Sequence, residues 1–333
     1  MQNKRYPGIN IRSKNELAKR LVSKTLSQQQ ALELINDVLA NFDKYWRDNG
    51  AMSKPADNKW VRDASYTNLG KLLKLINKKV LAPHDAMLPN FLFGGITARN
   101  HKAAVLNLLG TKRGRVLLKL DISRFYERIE LQRVEHFFAL KAGCSKESAR
   151  LLARLCCVPF GAKEQPEDRH TVARGFATSS RLAVWCNLDA FMRLERAVQK
   201  ELRGKDPRVS IYVDDIGITA SRVSKEDMMA LYPKIEHILA GDPKQSLPLN
   251  MKKTKIVFHD GETYDIAGNH QGKWCFEILG LQMGRNKLTL GTKTRWKTAN
   301  VIHKLSTKIG GEPVAALKKS KKALARYGAY IGR

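Results

Sequence analysis

The sequence predicts an α+β protein, an antiparallel sheet built on helices, and three observations lead there. Apolar residues alternate on both sides of Asp214-Asp215 (Val209, Ile211, Val213, then Ile216, Ile218), the pattern of two short strands folded on a tip that carries two acids. A mostly apolar strand, Val116–Leu120, gives way to Asp121 and then to helical periodicity. Capped helical segments recur before and after both.

In chain order, residues 1–60 read as a helical extension. Ser27 and Gln30 form a capping box opening a helix to about Asp48, with Ala31, Leu34, Ile35, Val38 and Leu39 on one face. In the segment 61–115, Lys71, Lys74, Lys78 and Lys79 lie on or near a helix ending before Pro83. Phe93-Gly94-Gly95-Ile96-Thr97-Ala98-Arg99 follows, which reads either as an ordinary turn or as a loop laying N–H groups and a guanidinium against phosphates. In the segment 116–143, Asp121 stands where a buried strand meets a helix, a position open both to a helix cap and to a ligand. Between 144 and 173, Ser145 starts another helix and Pro159–His170 reads as a polar loop. In the segment 174–283, Arg174-Gly175-Phe176-Ala177-Thr178-Ser179-Ser180 enters an apolar helix from Leu182 to Leu194. A helix over Lys225–Leu239, a strand Ile256–Phe258 and a second hairpin strand Phe276–Leu281 come next. From Gly284 to Arg333 there are thirteen Lys/Arg against one acid, Glu312, on helical sequence suited to tracking a sugar-phosphate backbone.

Composition narrows the class. In 333 residues, 60 Lys+Arg stand against 31 Asp+Glu, a formal charge of +29, which implies a polyanionic partner, most simply nucleic acid, with an anionic membrane as the weaker second choice. No apolar run approaches the roughly 18 residues of a membrane span, and the N-terminus has no signal-peptide core, so no membrane partner and a cytoplasmic location are expected. Five cysteines with no C-x-x-C spacing read as buried thiols rather than a zinc site or disulfide framework. The neighbouring acids Asp214 and Asp215 fit an ordinary turn and equally a divalent-metal site, because adjacent carboxylates repel until a cation or proton neutralises them.

Taken together and in order, these segments resemble the reverse transcriptase family. Asp121 with Phe125-Tyr126 matches its first palm motif, Gly175-x-x-Thr178-Ser179 the second and Tyr212-x-Asp214-Asp215 the third. Asn250-x-x-Lys253-Thr254 resembles the fourth, and Leu279-Gly280 the primer-grip hairpin. The resemblance covers roughly Lys71 to Leu290. It implies a right-hand polymerase: fingers from 61–115 and 144–173, a palm from 116–143 and 174–283, and a short basic helical thumb from 284–333. It further implies nucleotidyl transfer with two Mg²⁺ ions, Mn²⁺ being a substitute, held by Asp121, Ile122, Asp214 and Asp215, and with Lys253 near the leaving group. Tyr126 would lie under the incoming sugar and exclude a 2′-hydroxyl, and Arg99, Lys78, Lys79 and Gly175 would meet the deoxynucleoside triphosphate. Arg174, Thr178, Ser179, Tyr212, Leu279, Gly280, Arg295, Lys318 and Lys322 would meet template or primer.

Within the family the chain looks most like the bacterial retron and defence-associated branch. Ile278-Leu279-Gly280 replaces that branch's V-T-G, and Arg174-Gly175 and Ser179-Ser180 replace the usual Q-G and S-P. The expected partners are a structured noncoding RNA template and a DNA primer or product, with an oligomer or accessory protein compatible with the sequence; the expected setting is anti-phage defence. Untemplated or protein-primed synthesis, a diversity-generating retroelement enzyme and a non-catalytic RNA-binding scaffold are the alternatives.

Overall fold

The structure, a computed structural model, describes residues 6–241, 246–284, 287–307 and 314–332. Glu312 and the first five residues, both used in reading the sequence, lie outside these. The described chain is a mixture of helices and antiparallel sheet, as expected. Its elements run α1 (Lys14–Leu21), α2 (Gln28–Ala40), β1 (Arg47–Asp48), β2 (Arg62–Asp63), α3 (Asn68–Ile76), β3 (Leu92–Phe93), α4 (His101–Leu109) and β4 (Arg115–Asp121). Then come α5 (Leu131–His136), α6 (Lys146–Cys156), β5 (Cys157–Ala162), β6 (Gln165–Val172), α7 (Ser179–Glu201), β7 (Arg208–Tyr212), β8 (Asp215–Ser221) and α8 (Lys225–Ala240). The chain closes with β9 (Lys255–Phe258), β10 (Glu262–Tyr264), β11 (His270–Lys273), β12 (Glu277–Ile278), β13 (Leu281–Met283), β14 (Leu288–Leu290), α9 (Thr292–Thr307) and α10 (Val314–Gly332). Two compact units result, one from Met1–Arg99, Ser123–Met192 and Leu239–Pro248, the other from Asn100–Ile122, Arg193–Ile238 and Leu249–Arg333. The segments 61–115 and 116–143 therefore each contain residues of both.

The first unit is mostly helical. Ser27 and Gln30 do form a reciprocal capping box on α2, and Ala31, Leu34, Ile35 and Val38 are buried. The helix stops at Ala40 rather than near Asp48: the Asn41 side chain turns back onto Asp37, and a short 3₁₀ turn and β1 follow. The helical path that carries Lys71, Lys74, Lys78 and Lys79 runs through α3 and a π-helical turn to Leu81, ending before Pro83 as expected. Pro83 then sits early in a separate 3₁₀ turn over Ala82–Met87, where its missing N–H costs nothing. Residues 159–170, expected as a polar loop, belong to the hairpin β5–β6, with Cys157 opposite Val172 and Ala162 opposite Gln165. Most of β6 is exposed, so its polar side chains hid the strand.

The second unit holds the larger sheet, with strands in the order β11-β10-β9-β4-β8-β7. β4 lies between β8 and β9, which explains its nearly unbroken apolar sequence. The expected single strand Phe276–Leu281 is two strands, β12 and β13, with Ile278 paired to Leu281 across Leu279-Gly280. Both turn residues have positive φ (54° and 73°), as a two-residue I′ hairpin requires. This small sheet buries Phe276, Ile278, Leu281, Met283 and Leu288 with Val105 and Leu108 of α4, Leu117 of β4 and Ile331 of α10. Gly291, at the entrance to α9, donates its N–H to the Gly280 carbonyl at 2.8 Å. The Glu277 carboxylate accepts from the Thr292 N–H at 2.7 Å, favourably placed at the N-terminus of α9.

Candidate active site

Register brings the acids together. β4 and β8 are aligned so that Asp121 lies directly opposite Asp215, which puts the two side chains on one face with their Cβ atoms about 5 Å apart. The hairpin β7–β8 pairs Tyr212 with Asp215, leaving Val213-Asp214 as its two-residue tip. Val213 takes φ +59°, a left-handed backbone that a β-branched residue adopts at a cost of order 1–3 kcal/mol. The Ile122 N–H donates to the Asp214 carbonyl at 2.9 Å, so the tip is fastened to the end of β4.

The Asn250–Thr254 segment is fastened to the same place. The Asn250 N–H donates to the Asp121 carbonyl at 2.8 Å, and Thr254 Oγ1 donates to the Asn250 carbonyl at 3.0 Å. Lys253, on the 3₁₀ turn between them, donates from Nζ to Asp121 Oδ1 at 2.9 Å. Three stretches more than thirty residues apart in the chain thus meet at one end of the sheet.

Charge at this end is unbalanced. Burial, then the Asp214 and Asp121 carboxylates, push the Asp215 carboxyl up to about 6, against the opposing pull of Lys119 and Lys253. The hydrogen bond to Asp121 raises the Lys253 ammonium above its ordinary value. Among the described residues no group of three or more His, Cys, Asp or Glu side chains forms a ready-made metal cage. Magnesium does not require one, since it takes one or two carboxylates and completes its octahedron with water and substrate phosphates. A carboxyl whose proton affinity is raised by burial and by neighbouring carboxylates, as that of Asp215 is, fits such an ion.

A family model described as "Reverse transcriptase (RNA-dependent DNA polymerase)" matches residues 58–283, more than half of the chain. The chain belongs to the reverse transcriptase family. A retron Ec48 reverse transcriptase from Escherichia coli is 28% identical over 204 residues, which are 58% of this chain and 44% of that protein. The match therefore spans less than half of the relative's length. Every segment that resembled a reverse transcriptase motif, from Asp121 to Gly280, lies inside the stretch matched by the family model.

The other residues singled out from the sequence fall into distinct settings. Tyr126 is half-buried at a 3₁₀ turn, its hydroxyl 2.8 Å from Ser180 Oγ. Arg174, expected at template or primer, makes a bidentate pair with buried Glu127 at 2.9 and 3.0 Å and lies 4.9 Å over the Tyr126 ring. Thr178 is wholly buried with its hydroxyl beside the Cys156 thiol, and buried Ser179 donates to the Ala173 carbonyl at 2.6 Å, which holds the turn. Gly175, φ +105°, passes so close to Arg62 that a Cβ would sit 2.4 Å from its carbonyl oxygen, which explains the glycine.

Arg99 donates to the carbonyls of Leu88, Pro89 and Leu92, so its guanidinium pins the loop expected to cradle phosphate. Lys78 is exposed and Lys79 partly so. Arg295 donates to Gln282 Oε1 at 2.7 Å, and Lys318 and Lys322 lie exposed one turn apart on α10. No described helix is long and apolar enough to cross a membrane.

Among the described residues, several largely buried ion pairs went unread in the sequence, Arg62 with Asp48 among them. Arg181 grips Asp85 with two bonds of 2.8 and 2.9 Å, and Asp85 also accepts from the Thr97 N–H at 2.7 Å. Arg174 with Glu127 and Arg115 with Asp206 are others. The partners of Arg181, Arg174 and Arg115 lie 47 to 96 residues away and that of Arg62 lies 14 away, with no local signal beyond an arginine beside apolar residues.

Proposed function

We propose that the chain is an RNA-directed DNA polymerase of the retron-like branch, working as a right hand whose palm is the sheet of the second unit. The observation that carries this reading is the meeting of Asp121, Asp214, Asp215 and Lys253 at one end of that sheet. Asp121 and Asp214 would bind two Mg²⁺ ions with Asp215 assisting, and Mn²⁺ would substitute. When bound, the ions would activate the primer 3′-hydroxyl and stabilise charge on the leaving pyrophosphate. Lys253 is already tethered to Asp121, where its ammonium can neutralise or protonate a departing phosphate. Leu279-Gly280 would hold the primer, Tyr212 would flank it, and Lys318 and Lys322 would follow the duplex backbone. The +29 charge supports a large nucleic-acid partner, read as a structured noncoding RNA copied into DNA. The relative's name supports the retron-like setting, and the defence role rests on that setting.

The deciding experiment supplies the chain with a primed RNA template, deoxynucleoside triphosphates and Mg²⁺. Templated extension, verified by sequencing the product, is expected. Tight RNA binding with no incorporation under any metal or primer condition would instead assign the chain as a scaffold.

Tyr126 provides a second test. Its ring is held by the Ser180 hydroxyl and the Arg174 guanidinium. Tyr126→Ala is expected to raise ribonucleotide use relative to deoxynucleotide on the order of 10²-fold in kcat/KM ratio, because a steric filter is removed. An unchanged ratio would take the sugar-selecting role away from this residue.

A further inference from the structure

One part of the sheet breaks the ordinary rule of strand pairing. Lys119 of β4 lies directly opposite Lys255 of β9, and like charges in that relation destabilise a sheet. Neighbouring ammonium groups have carboxylates: Lys253 holds Asp121 at 2.9 Å and Lys273 holds Glu262 at 3.2 Å. Lys255 instead lies 3.3 Å from the centroid of the Trp274 ring, and Trp274 is 53% exposed. Lys119 precedes Asp121 by two residues, so the two side chains share a face about 7 Å apart along the strand. Its charge is felt at Asp215.

The same face continues toward the turn of β12–β13. Gly217, opposite Lys119 on β8, has no side chain, and the space a Cβ would need is filled by Leu108 and Ile278, whose Cδ1 atoms would lie at 2.7 and 2.8 Å. The lysine pair therefore stands between the carboxylates and the hairpin carrying Leu279-Gly280. A half-buried pair of cations, flanked by an exposed indole and lying beside the acids, suits alternating phosphates and sugars better than a compact anion.

We infer that Lys119, Lys255 and Trp274 form a contact surface for the sugar-phosphate backbone of the primer strand just behind its reacting end. The inference rests on the polymerase reading, yet binding alone can test it. A fluorescent primer annealed to an RNA template is titrated without divalent metal over a series of salt concentrations, for wild type and for the Lys119→Gln/Lys255→Gln double variant. The variant is expected to bind the duplex about tenfold more weakly, with a log K against log salt slope shallower by about 1.5–2, the value for two lost phosphate contacts. Binding of single-stranded RNA should be unchanged. Thermal unfolding should occur at the same or a higher temperature, because a like-charge pair is removed.

An unchanged slope would overturn the inference, as would equal loss on single-stranded RNA or a lowered melting temperature with intact binding. Trp274→Ala, expected to weaken duplex binding severalfold without altering the slope, checks the stacking half separately. A wild type that binds the duplex but never extends it would refute the polymerase reading and leave this surface standing. A wild type that extends primers while the double variant binds normally would refute this surface alone.

Discussion

Replacing Asp214 and Asp215 together by asparagine is expected to lower deoxynucleotide incorporation by about 10³-fold or more, the effect of losing ligands worth several kcal/mol of transition-state charge stabilisation. Asparagine preserves shape, and the bond that fastens the hairpin tip runs from the Ile122 N–H to the backbone carbonyl of residue 214, which the substitution leaves in place. The protein should therefore fold and bind RNA as before. Relief of the carboxylate repulsion that raises Asp215 should leave its melting temperature unchanged or higher. Single-turnover extension of a primed RNA, measured beside RNA affinity, separates chemistry from binding. Robust synthesis by the double variant would sink the polymerase reading of this site.

Asp206→Ala is expected to carry the largest loss of stability, about 3–5 kcal/mol, because it strands a buried cation. Asp206 accepts from Arg115 at 2.8 Å, from the Thr111 N–H at 2.8 Å and from the Lys112 N–H at 3.1 Å. It thereby ties the turn after α4 to the first residue of β4. Both side chains of the ion pair are nearly buried, and Arg115 also bonds Thr219 of β8. Burial pushes the Asp206 carboxyl upward, but the two N–H groups and Arg115 outweigh it and hold it well below the usual carboxylate range. The folded-state value being depressed, this stability is present above about pH 4 and lost as pH falls below it. Denaturant unfolding at pH 7 and pH 3 checks both points: the gap between wild type and Asp206→Ala should narrow at the lower pH. An equal gap at both would remove Asp206 as the acid-sensitive group.

Features governed by near neighbours were legible in the sequence. The capping box of Ser27 and Gln30, the Ser145 cap and the Tyr212–Asp215 hairpin all depend on residues within about four positions, and each forms as read. The meeting of Asp121 with the hairpin was inferred only through family resemblance, since no local rule specifies which strands pair. Failures have equally definite causes. Exposed β6 lacks the apolar alternation of a strand with a buried face. The apolar run Phe276–Leu281 concealed a turn because Leu279, rather than a usual turn former, occupies one of its left-handed positions. The partners that Arg99, Arg174 and Ser179 take within the chain are backbone carbonyls or distant acids, invisible in a linear sequence. Lys119 did carry a signal, being the lone charge inside Val116–Leu120. Only the register of β9 shows that it faces a second lysine.

The close passage of Gly280 and Gly291 has a mechanical consequence. A single methyl group added at residue 291 would arrive 2.7 Å from both the carbonyl carbon and oxygen of Gly280. Backbone is packed against backbone and joined by a hydrogen bond, with the Glu277 carboxylate beside the contact. The first turn of that helix and the tip of the hairpin are therefore positioned together, and a side chain at residue 291 would push the two apart.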